Sequence, residues 1–94
     1  MKWNRVFVTV GTTDFNDLIV TLGMERFVSY LAHHSCQRLT IQYGRGNELS
    51  ENVKIYCERY GIELETYRFR DSLDKDMEAA DLIICHAGRV SLIL

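Results

Sequence analysis

The chain contains no proline in its 94 residues. That absence argues against a hidden flexible hinge. No apolar run approaches the roughly 18 residues that span a bilayer. The opening Met1-Lys2-Trp3-Asn4-Arg5 leads straight into a strand pattern rather than into a cleavable signal, so a cytosolic protein is expected. An excess of one charge is also missing. Eleven basic and 13 acidic side chains are scattered along the sequence for a net charge of -2, which leaves no basic stripe to track a phosphate backbone and excludes nucleic acid as an expected partner. Cysteines are few: Cys36, Cys57 and Cys85 form no Cys-x-x-Cys pair and have no histidine at zinc-ligand spacing. Neither a disulfide framework nor a metal site is expected, and the three read as small core or near-core residues.

What is present alternates strand and helix from end to end. Residues 5–10, RVFVTV, form a nearly continuous β-branched and apolar run, the pattern of a parallel strand buried on both faces. After the turn Gly11-Thr12-Thr13, Asp14 can cap a helix whose apolar face is Phe15, Leu18, Ile19 and Leu22, at i, i+3, i+4 and i+7. Met24, Phe27, Val28 and Leu31 repeat that spacing two residues out of phase. The slip predicts a break near Gly23 and a second helical piece ending around His33. Residues 39–43 read as the second strand. A helix over about residues 50–60 follows, with Val53, Tyr56, Cys57 and Tyr60 on one face and Gly61 as its stop. Residues 62–69 give a third strand. Ser72 caps a short helix carrying Leu73, Met77 and Ala80 inward, and residues 81–85 give a fourth strand that runs into His86-Ala87-Gly88.

The fold class is therefore α/β and Rossmann-like, one βαβαβαβ unit over residues 1–94. Right-handed crossovers favour a parallel sheet of order 3-2-1-4, with the winding reversing between strands 1 and 4. Ligands of such sheets bind at that reversal, on the carboxyl edge. The Gly11-Thr12-Thr13 and His86-Ala87-Gly88 loops would stand side by side there.

Gly11 permits close backbone approach, Thr12 and Thr13 supply hydroxyls, and the following helix start favours a phosphate or carboxylate. The same three residues equally suit a plain strand-to-helix turn with threonine caps. The loop lacks G-x-G-x-x-G spacing, and strand 2 ends in Tyr43-Gly44-Arg45-Gly46 rather than in an acid for a ribose hydroxyl, which disfavours a nicotinamide cofactor. Arg45 suits a phosphate or a partner protein, and suits simple solvation as well. His86 is the candidate for hydrogen bonding or general-base work at the cleft, with loop fixation as the alternative. His33 and His34 are explained by a helix carboxyl end, Asp14 and Asp17 by a helix amino end. No Ser-His-Asp or Cys-His arrangement is present.

Three motifs carry a family resemblance: VFVTVGTTDF over residues 6–15, IQYGRG over residues 41–46, and the stretch from YRFRDSL at residues 67–73 through ADLIICHAG at residues 80–88. Together they resemble the cytosolic catalytic subunits of the UDP-N-acetylglucosamine (UDP-GlcNAc) transferases that add the second sugar to dolichol-linked oligosaccharide, in order over residues 5–88. The resemblance implies the first part of a GT-B carboxyl-terminal, donor-binding domain. A membrane-anchored subunit would recruit it to the cytosolic face of the endoplasmic reticulum, UDP-GlcNAc would be the donor, and the product a β1,4-linked chitobiosyl diphosphodolichol. Gly11, Thr12 and Thr13 would line the cleft near the donor diphosphate, and His86, Ala87 and Gly88 would begin the second donor loop. No cofactor and no tightly bound metal are implied, because GT-B enzymes stabilise departing UDP with helix dipoles and side chains.

The pattern breaks after Gly88. The family continues Gly-x-Gly-Ser and, three residues later, a ribose-holding glutamate. Here Arg89 and Val90 follow, Ser91 agrees, and Leu94 stands at the glutamate's place. Residues 89–94 therefore read as a divergent tail, produced by intron read-through or by a genuine short form. The expectation is a chain that cannot turn over by itself, has low stability, and leaves strand 4 open to association. The alternative function is a non-catalytic interaction or regulatory module built on the same fold.

Overall fold

The computed structural model describes residues 2–10, 22–45, 49–86 and 90–93. The expected first helix falls on residues 11–21, outside the described residues, apart from the buried, helical Leu22. The described elements run β1 (Arg5–Thr9), α1 (Glu25–His33), β2 (Arg38–Gln42), α2 (Glu51–Arg59), β3 (Glu63–Tyr67), α3 (Asp74–Ala79), β4 (Leu82–His86) and β5 (Val90–Ile93).

The sheet order is β3-β2-β1-β4-β5. The first four strands are mutually parallel, with Val6 level with Leu39 on one side and with Leu82 on the other. The expected 3-2-1-4 order and its reversal beside β1 are thus present. A fifth strand was not foreseen: β5 returns antiparallel along β4, with Cys85 opposite Ser91 and His86 opposite Val90. The outer edge of β4 is therefore occupied, and the free edge on that side belongs to a strand of four residues.

Alternation along the strands sorts side chains to two faces. Val6, Val8, Leu39, Ile41, Leu82 and Ile84 share one face and join Val28, Leu31, Val53 and Cys57 from α1 and α2 in a continuous apolar core. The break before α1 comes where the phase slip predicts it, at Gly23-Met24. Met24 occupies the N-cap position and is exposed rather than part of the inward stripe, while Val28 and Leu31 are buried. Glu25 in the first turn and His33 in the last suit the helix dipole. In α2 the Ser50 side chain accepts a hydrogen bond from the Asn52 amide at 3.1 Å, and the helix stops at Gly61, whose φ of +72° favours glycine.

The other face carries Phe7, Thr9, Thr40 and Gln42, all buried, and α3 lies against it. The inward set expected for α3 does not hold. None of its residues is buried, Met77 is exposed, and Leu73 and Ala80 are only half-buried. Six residues are too few to develop an apolar stripe, and polar groups tether the helix instead. The Tyr67 hydroxyl donates to Asp76 at 2.5 Å, Arg70 pairs with the same carboxylate at 3.2 Å, and the Arg70 guanidinium lies 3.8 Å above the Tyr67 ring. Burial, then the Asp76 carboxylate, push the Tyr67 phenol well above its ordinary range.

The cysteines fall where the sequence reading puts them: Cys36 and Cys57 are buried, Cys85 partly so. Burial pushes both buried thiols from 9.0 up to about 11, and at Cys57 the neighbouring Cys36 adds to the shift.

A thiol whose pKa is raised by folding stabilises the fold fully below its unfolded pKa and loses that contribution as pH climbs through the folded value. Stability should therefore fall between pH 9 and pH 11, more steeply than in a Cys36→Ala/Cys57→Ala variant, as read from urea midpoints across that range. Tyr67→Phe should cost about 1 kcal/mol, the net worth of one hydrogen bond. Glu63→Gln, which breaks an ion pair whose glutamate is 71% exposed, should change stability by less than about 0.5 kcal/mol; thermal midpoints separate the two.

Candidate functional site

At the carboxyl edge of the sheet, Thr9 and Cys85 are register partners on β1 and β4, so Val10 and His86 leave the sheet at one level. This is the winding reversal, where open α/β sheets bind ligands. Of the residues expected there, His86 is the last residue of β4 and Ser91 lies in β5 opposite Cys85. Gly11, Thr12, Thr13, Ala87 and Gly88 lie outside the described residues. The strands that these residues flank are brought together, with β1 and β4 paired from Val6–Leu82 to Thr9–Cys85.

The neighbouring strand ends are joined by a polar network that sequence reasoning missed. The Thr9 hydroxyl donates to Oε1 of Gln42. The Gln42 Nε2 donates to the Arg68 carbonyl at 2.6 Å. This fixes the amide's orientation, since a carbonyl can only accept and must face the NH₂ side. Arg68 in turn donates from its guanidinium to the Gly44 carbonyl at 3.0 Å, accepts the Gly44 amide at 3.3 Å, and lies 4.8 Å over the Tyr43 ring. The turn carrying Arg45 is thereby clamped to the end of β3. Gly44 sits there at φ +67°, a conformation that glycine adopts without a Cβ penalty, and Arg45 itself is exposed. The one sequence signal for this network was a glutamine in a strand whose other central positions are apolar or β-branched.

A pocket of about 180 Å³ lies away from this edge, on the α3 face near the amino ends of the strands, between Arg5, Phe7, Arg38, Thr40 and Asp76. Its charges are largely satisfied internally: Arg38 pairs with Glu63 at 3.0 Å and with Glu65 at 3.6 Å. The winding reversal between β1 and β4, not this hollow, is therefore the candidate site. Among the described residues no three histidine, cysteine or acidic side chains converge as metal ligands would, and no helix is long and apolar enough to cross a membrane.

Comparison with known proteins agrees with the fold and with the motifs. The family model for the glycosyltransferase family 28 C-terminal domain matches residues 5–93. Among curated relatives, human UDP-N-acetylglucosamine transferase subunit ALG13 is 39% identical over 88 residues, covering 94% of this chain and 7% of that protein. The protein of the same name from Mus musculus is 36% identical over 89 residues, with 95% and 7% covered. That from Yarrowia lipolytica (strain CLIB 122 / E 150) is 28% identical over 86 residues, with 90% and 42% covered. The chain thus spans less than half the length of each of these relatives. No solved structure matches it. A family match across nearly the whole chain, on a parallel sheet of the expected order, places this protein in the glycosyltransferase family 28 C-terminal domain family.

Proposed function

We propose that the chain is donor-binding material of a UDP-GlcNAc transferase subunit, which adds the second GlcNAc to GlcNAc-diphosphodolichol in N-glycan precursor synthesis. The observation that carries this reading is the pairing of β1 with β4, which sets the strand ends leading into residues 11–13 and 87–88 at one edge. Gly11, Thr12 and Thr13 would meet the donor diphosphate, His86, Ala87 and Gly88 would begin the second donor loop, and Ser91, in β5 opposite Cys85, would be a further donor-binding residue. In the transfer, the 4-hydroxyl oxygen of the acceptor sugar bonds to the anomeric carbon of the donor as that carbon's bond to UDP breaks. The hydroxyl proton goes to a base, for which His86 is the candidate. Backbone amides and hydroxyls at the β1 loop would carry the charge growing on UDP.

A membrane-anchored partner at the cytosolic face of the endoplasmic reticulum would supply the acceptor side. The name of the relatives, a transferase subunit, supports a partnered protein. The chain is proposed to be inactive alone.

A second reading, the non-catalytic interaction or regulatory module, is favoured by β5. Over Val90–Ile93 the chain runs back along β4, where the family resemblance implies a glycine-serine loop opening a helix.

Equilibrium dialysis against UDP-GlcNAc, with capture of the membrane-anchored subunit in parallel, separates the two. Measurable nucleotide affinity is the expected result and supports the donor site. Capture of the subunit without nucleotide binding would favour the module, and absence of both would remove both readings.

A further inference from the structure

We infer that Gln42 is a positioning residue for donor binding, acting through the end of β1 without touching the nucleotide; this rests on the donor reading above. Gln42 is 1% exposed and its register partner on β1 is Thr9, itself 5% exposed. Both ends of its amide are engaged: Oε1 accepts from Thr9, and Nε2 donates to the Arg68 carbonyl. Its backbone carbonyl accepts the Val10 amide at 3.1 Å. One residue thus ties the last residues of β1 to the chain just beyond β3, across strands separated by 33 and 26 positions in sequence.

Burial alone does not call for a glutamine. On the same face of the neighbouring strand, Phe7 is equally buried and wholly apolar. A buried amide brings a desolvation cost that only full pairing offsets. What the pairing provides is direction, because hydrogen bonds fix relative position where apolar contacts tolerate sliding. The network lies at the carboxyl ends of β1, β2 and β3, the edge at which the ligand is proposed, while the amino ends carry surface ion pairs instead. Because a binding group displaced by about 1 Å loses much of its effect, a residue that fixes the exit of β1 acts on affinity without contacting the ligand.

The test uses the 94-residue chain with Gln42→Met, which removes both side-chain bonds at similar length, and Thr9→Val, which removes one. Hydrogen exchange at the Val10 amide and affinity for UDP are read together. Gln42→Met should speed Val10 exchange and weaken UDP binding, each on the order of tenfold, as expected for loss of a buried hydrogen bond. Val6 protection should be largely kept. Thr9→Val should move both in the same direction by less, and it carries the test if Gln42→Met does not fold. Val53→Ala, which loosens the core under α2, should leave UDP affinity unchanged at a comparable loss of stability. Unchanged exchange at Val10, or unchanged UDP affinity in a folded variant, would overturn the positioning role alone. An unmodified chain with no UDP affinity would overturn the donor reading and this inference together.

Discussion

β1 is hydrogen-bonded along both edges, to β2 on one side and to β4 on the other, in the same direction as both. A parallel strand flanked by parallel strands on both sides must be reached by crossover connections. Because those crossovers keep one hand, adding strands first to one side of β1 and then to the other makes the winding reverse there. Other features follow from this constraint. β1 has to be apolar on both faces, and Val6, Phe7 and Val8 are at most 2% exposed. The core helices α1 and α2 gather on one face, and the ends of β1 and β4 are left adjacent at the carboxyl edge.

The two faces of the sheet are held by different physics. The face under α1 and α2 is apolar and continuous, so burial of hydrocarbon accounts for its cohesion. The opposite face is held by polar contacts: Thr9, Gln42 and Arg68 at the carboxyl edge, and Tyr67, Arg70 and Asp76 around α3. Such contacts add little net energy each but specify geometry. That division suits a binding edge, where placement matters more than bulk stability.

Much of this was legible in the sequence, for identifiable reasons. The two-residue slip between the Leu22 and Phe27 stripes gave the break at Gly23-Met24, because a helix cannot turn its apolar face by that amount without interruption. Ser50 and Gly61 bracketed α2 through cap chemistry that acts within a few residues. The strand order followed from alternation plus handedness. The rest depended on partners distant in the chain. Gln42 meets Thr9 and Arg68, neither of them a sequence neighbour, so its role cannot be read from local pattern. In α3 the expected inward face failed because Tyr67 and Arg70 hold Asp76 from outside the helix. β5 is a short apolar run whose direction is set only by its pairing with β4. Of the site residues, the strand ends that carry them are placed, while Gly11, Thr12, Thr13, Ala87 and Gly88 fall outside the described residues.

On the proposed reading, the winding reversal beside β1 holds the nucleotide. Titrating the isotopically labelled chain with UDP and mapping amide chemical-shift changes tests it most directly. The shifts should concentrate at the carboxyl ends of β1 and β4, around Val10 and His86, with the amino-terminal residues Arg5, Arg38 and Leu82 unmoved. Shifts centred instead on the hollow between Arg5, Arg38 and Asp76, or spread evenly over the sheet, would contradict it.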